Sequence, residues 1–211
     1  SGITGEYFGW RFIFYVAAGV MAVCLIIILR ILPDMPTSFK GNYRSLMCSL
    51  LSLVRQYPVL RINSIRAALA FGSFLALWSC LAFKMEQAPF FAGNDIVGLL
   101  GLCGMAGALT ASFIGKYVRR IGVKRLNHIG CLLHASAWML FLFGGNSYTG
   151  MIAGIILIDI GMQCIQLSNQ TTLFSLCPGA SNRLNTIFMT TYFVGGSLGT
   201  FLAGTVWQGF G

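Results

Sequence analysis

Charge is what this sequence has least of. Only 9% of its residues are Asp, Glu, Lys or Arg, and only five are acidic. A soluble domain carries about 25% charged residues. With 56% hydrophobic residues and a mean hydropathy of +0.78, 211 residues offer no soluble core large enough to hide the apolar surface. A bilayer dissolves such surface directly. The seven cysteines (Cys24, Cys48, Cys80, Cys103, Cys131, Cys164 and Cys177) are scattered, and none forms a CxxC pair. That excludes a zinc knuckle or a disulfide framework; they read as small residues at helix contacts. HExxH is missing and Ser73 has no evident base, so no enzyme is expected. No cofactor motif and no metal cluster stand out. The net charge of +9 comes without any nucleic-acid-binding motif, which excludes a DNA or RNA partner. Neither an initiator Met nor a signal-peptide pattern opens the chain, which ends at Gly211 just past an apolar run. We expect a piece of a longer protein.

What remains is a series of apolar runs near the roughly 20 residues a span needs. The first covers about 12–32, with Trp10 and Tyr15 at aromatic-belt positions and Pro33 and Pro36 ending it. Residues 34–61 form a basic connection with Lys40, Arg44, Arg55 and Arg61. Within it Leu46-Met47, Leu50-Leu51 and Leu53-Val54 repeat at helical spacing, so a short helix is expected, lying on the membrane or simply solvated. Further spans are predicted at about 62–83, 96–114, 126–143, 148–167 and 186–206. Arg66, near the start of the second, is placed to snorkel to the headgroups. The third carries Gly98, Gly101, Gly104 and Gly107, and the sixth Gly195, Gly196, Gly199 and Gly204; such glycines permit close helix approach. The fold class is therefore all-α, a polytopic membrane bundle of about six transmembrane helices.

Charge sets the orientation. Assigning alternate loops to opposite sides puts twelve of the fourteen Lys and Arg residues on one side and only Arg11 and Lys84 on the other. Basic loops stay in the cytoplasm.

Asp159 is the most informative residue. It interrupts the run Ile155-Ile156-Leu157-Ile158, where a charge costs roughly 2.5–3.5 kcal/mol even on insertion scales. Gln163, Gln166 and Gln170 follow at i+4, i+7 and i+11, so all four share one helix stripe. The other face is apolar, with Leu157 and Ile165. Such a stripe is expected to face a cavity. Two readings are open: a substrate or proton site, or a hydrogen-bonded anchor between helices. Trp78 is a candidate wall of the same cavity; Phe71 and Phe74 read more simply as packing. His134 is placed for a helix-to-helix hydrogen bond rather than a proton relay. A second candidate is the basic segment Gly115–Arg125, with Lys116, Arg119, Arg120, Gly122, Lys124 and Arg125, expected to be a tight loop held against helix ends.

Several segments together resemble the major facilitator superfamily, in its twelve-span drug:proton antiporter-like form. Gly9-Trp10-Arg11-Phe12-Ile13-Phe14 is similar to the approach to that family's sixth span. Leu77-Trp78, the run Gly98 to Gly104, and Asp159-Ile160-Gly161 leading into Ser168-Asn169-Gln170 match later spans. So does Ser181-Asn182-Arg183-Leu184-Asn185-Thr186 before Tyr192-Phe193-Val194-Gly195-Gly196. Gly115, Arg119, Arg120, Gly122, Lys124 and Arg125 resemble the family's repeated cytoplasmic motif, except that Arg119 stands where the pattern has an acid. The resemblance implies that residues 1–33 close an N-terminal bundle, 34–61 are the cytoplasmic linker, and 62–211 form a C-terminal bundle lacking its final span. It implies alternating access, proton-coupled efflux of a small solute, and a missing N-terminal half of the same protein as partner. The multi-pass chain is then expected in a bacterial cytoplasmic (inner) membrane. The alternative is a scaffold or assembly subunit, packing its glycine faces against other proteins.

Overall fold

The computed structural model describes residues 10–32 and 42–210, apart from the side chains of residues 10, 94, 106, 108, 111, 117, 119, 178 and 210. The expected span terminators Pro33 and Pro36, and Lys40 and Gly9, lie outside the described residues. Seven α-helices account for nearly all the described chain: α1 Trp10–Ile31, α2 Tyr43–Gln56, α3 Pro58–Glu86, α4 Asn94–Ile121, α5 Val123–Gly144, α6 Tyr148–Leu176 and α7 Ser181–Phe210, with a 3-10 turn Pro178–Ala180 before the last.

Six of these helices hold 22 residues or more. At 1.5 Å per residue even the shortest reaches about 33 Å, enough for a hydrocarbon core of about 30 Å. Five are both long and apolar enough to cross a membrane: α1, α3, α5, α6 and α7; α4 contributes a shorter apolar stretch, Asp95–Met105. The chain is an integral, multi-pass membrane protein. Its helices run on by a turn or two past the apolar runs. α6 continues to Leu176 rather than stopping near Leu167, because Ser168, Asn169, Thr171 and Thr172 find partners inside the bundle or on the preceding turn and do not need water.

Local chemistry explains the boundaries. Pro58 opens α3 at a position where its missing N–H costs nothing. Ser147 caps α6, its Oγ accepting from the Gly150 amide at 3.1 Å. One glycine separates α4 from α5: Gly122, at φ +85°, ψ 140°, ends one helix and starts the next.

α6 sits at the centre, against α5, α4, α3 and α7, and is the most enclosed of the spans. α3 and α7 run side by side. Two apolar clusters hold the bundle at its ends. One joins Leu60, Ala67, Ile165, Leu173, Leu184 and Phe188; the other joins Leu81, Met85, Ala137, Met151, Ile155 and Ile158. The outer faces stay apolar, with Leu69 on α3, Leu132, Leu142 and Phe143 on α5, and Phe201 on α7 exposed. This is the surface that lipid covers.

The amphipathic segment predicted at the start of the basic connection is α2. It buries Leu53 in the first cluster and leaves Leu51 exposed, so it is docked on α3 and α7 by one edge. The start of α3, the α4–α5 junction and the start of α7 share one end of the bundle, and with them most of the basic residues. Lys84 lies at the other end, where its Nζ donates to Asn146 Oδ1 at 3.0 Å.

Candidate functional site

Asp159 lies on the central helix and is 8% exposed. It is packed against α4 at two glycines. A Cβ on Gly107 would overlap that of Asp159, and a Cβ on Gly104 would lie 3.3 Å from Asp159 Oδ2 and 3.1 Å from Trp78 Cζ2. The acid, the indole and the glycine face of α4 therefore meet at one point. Asp159 Oδ2 and Trp78 Nε1 are both buried without a hydrogen-bond partner among the described residues. A buried polar atom left unpaired costs about 1–3 kcal/mol.

The glycine face is narrower than the sequence spacing implied. Steps of three residues rotate about 300° on a helix, so four glycines spaced by three fan over half its circumference. Gly104 and Gly107 meet their neighbours, whereas nothing approaches Gly101 within 4 Å.

Further along the stripe, Gln166 Oε1 accepts from the Tyr192 hydroxyl of α7 at 3.3 Å. Gln163 and Gln170 are half-buried. An aromatic ladder flanks them on α3 and α7: Phe71 stacks on Tyr192 at 3.9 Å between centroids, and Phe74 meets Trp78 edge-on at 6.2 Å. His134 makes the helix-to-helix contact its position suggested, with Nε2 2.5 Å from Ser73 Oγ on α3. A separate cavity of about 410 Å³, walled by Leu77, Leu81, Trp138, Phe141 and Trp207, contains none of the stripe residues.

A second polar cluster, which the sequence did not single out, lies nearer the basic end. Arg66 does not snorkel outward. Its Nη2 donates to Asn63 Oδ1 on its own helix and to Asn169 Oδ1 on α6, the latter at 2.6 Å. Asn127 of α5 donates to Ser168 Oγ at 2.8 Å and to Asn169 Oδ1 at 3.4 Å. Asn63, Ser64, Asn127, Ser168 and Asn169 are all buried. Three helices are thus bound by amides around one guanidinium. The signal in the sequence was the run Ser168-Asn169-Gln170; what hid the cluster is that its members lie about 40–100 residues apart.

The basic motif divides. The expected loop is not there: residues 115–121 complete α4 and 123–125 open α5, so the turn narrows to Gly122 alone. Gly115 and the side chains of Arg120, Lys124 and Arg125 are exposed, and that of Arg119 is outside the described residues. Gly122→Ala is expected to destabilise the protein by roughly 1–3 kcal/mol, because φ +85° there is a conformation L side chains rarely adopt. Thermal unfolding in detergent measures it, with Gly179→Ala, which has open space and no such φ, as the reference.

These features match a known design. The Major Facilitator Superfamily family model matches residues 1–200. The chain belongs to the major facilitator superfamily. The chain is also 33% identical over 208 residues to the "Uncharacterized transporter YgaY" of Escherichia coli O157:H7, an alignment covering 99% of this chain and 53% of the relative. It is 29% identical over 212 residues to the "Probable transporter SCO4007" of Streptomyces coelicolor, covering 100% and 49%. Similarity at 24% identity over 210 residues extends to the "Probable sugar efflux transporter" of Mannheimia succiniciproducens, covering 99% and 51%. This major facilitator chain therefore spans about half the length of the curated relatives it matches. All three are named as transporters.

Proposed function

We propose that the complete protein is a secondary transporter that moves a small solute across a bacterial cytoplasmic membrane by alternating access, as proton-coupled efflux. In this reading residues 1–33 close the N-terminal bundle, 34–61 link the halves, and 62–211 supply most of the second bundle. The missing N-terminal half supplies the opposite wall. Membership of a transporter family supports the class. The observation that carries the site is Asp159: a carboxylate in the middle of the central span, with an oxygen that has no protein partner, beside an equally unpartnered indole. Intramembrane acids are functional more often than structural. Gln163, Gln166, Gln170 and Trp78 are assigned to the same pathway, since they share the stripe or lie against the same glycine as its acid.

The test uses the complete gene product reconstituted in vesicles. An imposed proton gradient is expected to drive net solute movement, with a panel of small sugars and amphipathic organic solutes as first cargoes. Gradient-independent equilibration, or no movement of any solute by properly inserted protein, overturns the coupled-transport reading. The 1–211 piece alone is expected not to transport.

A further inference from the structure

The cluster around Arg66 has a chemical bias that its internal bonds leave unused. A guanidinium has donors only. The two asparagines beside it must therefore turn their oxygens toward it, which fixes where their amide nitrogens point. Asn169 is held the same way by the Asn127 amide, which donates to the same oxygen. The consequence is that Asn63 Nδ2, Asn169 Nδ2 and Arg66 Nε are all buried and all without a partner among the described residues, as is the Ser64 hydroxyl. Asn63 is 4% exposed and Asn169 0%. Every one of these nitrogens is an N–H donor.

Charge points the same way. Within the described residues Arg66 bonds only to neutral amides. Glu86 and Asp95 lie at the opposite end of the bundle, and Asp159 is ten residues from Asn169 on α6, about 15 Å along the axis. A cation inside a span, ringed by unused donors and by no acid among the described residues, has the make-up of an anion site. Arg66 remains partly exposed, eight residues, or about 12 Å, from the start of α3 at the basic end. A ligand can reach it from the cytoplasmic side.

We propose that Arg66, Asn63 and Asn169, with Ser64 adjoining, form a binding site for an oxyanion of the carboxylate or phosphate type. The guanidinium supplies the charge and the asparagine amides orient the oxygens. That the bound anion is the carried solute rests on the transport reading above; its binding does not.

The experiment uses the complete protein purified in detergent, its unfolding temperature followed with benzoate, inorganic phosphate, chloride at matched ionic strength, or glucose. Benzoate or phosphate is expected to raise Tm in a saturable way, with chloride and glucose giving no such rise. Arg66→Gln is expected to weaken the apparent Kd at least about tenfold. Arg66→Lys, which keeps the charge and the fold but loses the planar fork, should retain the response at lower affinity. Asn63→Ser, which removes one amide, should lie between. A saturable response that is the same in wild type and all three variants overturns the site. So does no response to either anion in wild type, which would mean that the amides, or a carboxylate from the rest of the protein, already satisfy Arg66. If coupled transport fails its own test while the Arg66-dependent shift stands, the functional reading falls and the anion site remains.

Discussion

Asp159→Asn is expected to lower proton-coupled transport by the complete protein roughly tenfold or more, a change of at least about 1.4 kcal/mol in the coupled step. The amount of inserted protein and its Tm should hardly move. The reason is geometric. Asparagine is nearly isosteric with aspartate, so it fills the same place against Gly104 and Gly107. It makes no demand for a lost salt bridge, because Asp159 Oδ2 has no partner to lose. What it cannot do is take up and release a proton, or present a charge to a cationic group. An acid that served only as an anchor between α6 and α4 would be replaced by the amide without loss, and transport would continue at its wild-type rate. Proteoliposome flux measured against inserted protein decides between the two. Gly107→Ala gives a second route to the same place: its Cβ would press on Asp159 itself, so both stability and flux are expected to fall.

The second large effect is expected at the α3–α7 contact. The two helices touch backbone to backbone. A Cβ on Gly72 would lie 2.6 Å from the Gly195 carbonyl oxygen, and a Cβ on Gly199 would overlap the Gly72 peptide. Backbone cannot move aside as a flexible side chain can. Gly199→Ala is therefore expected to force the helices apart and to cost roughly 1–3 kcal/mol, in the usual range for overpacking. The same substitution one turn further along should have the opposite sign. Nothing lies within 4 Å of Gly204. Alanine there gains helix propensity of up to about 1 kcal/mol with nothing to collide with. Equal shifts in Tm at the two positions would show that the close approach of α3 and α7 is not what the glycines serve.

Much of this architecture is legible without coordinates. Apolar runs of span length, broken by short basic or glycine-containing loops, leave the backbone no choice but helices in a bilayer. The charge asymmetry sets their direction. The amphipathic repeat from Leu46 to Val54 marks α2, and Gly122 marks the α4–α5 junction. The stripe from Asp159 to Gln170 is a matter of angle along one helix and could be drawn from spacing alone.

Which face meets which neighbour is another matter. The glycines of α4 and α7 are alike in the sequence, yet Gly104, Gly107, Gly195 and Gly199 are in contact while Gly101 and Gly204 are open. Arg66 is the sharpest case. Its position near a span's start suited the headgroups, and only Asn169, more than a hundred residues later, turns it inward. By itself the sequence determined a membrane-spanning helical chain and the costly acid at its centre, because lipid punishes polar atoms locally, residue by residue. Only the tertiary structure decided which polar atoms find each other and which stay unpaired, because hydrogen bonds between helices join residues far apart in the chain and depend on rotations and approaches that no local pattern encodes.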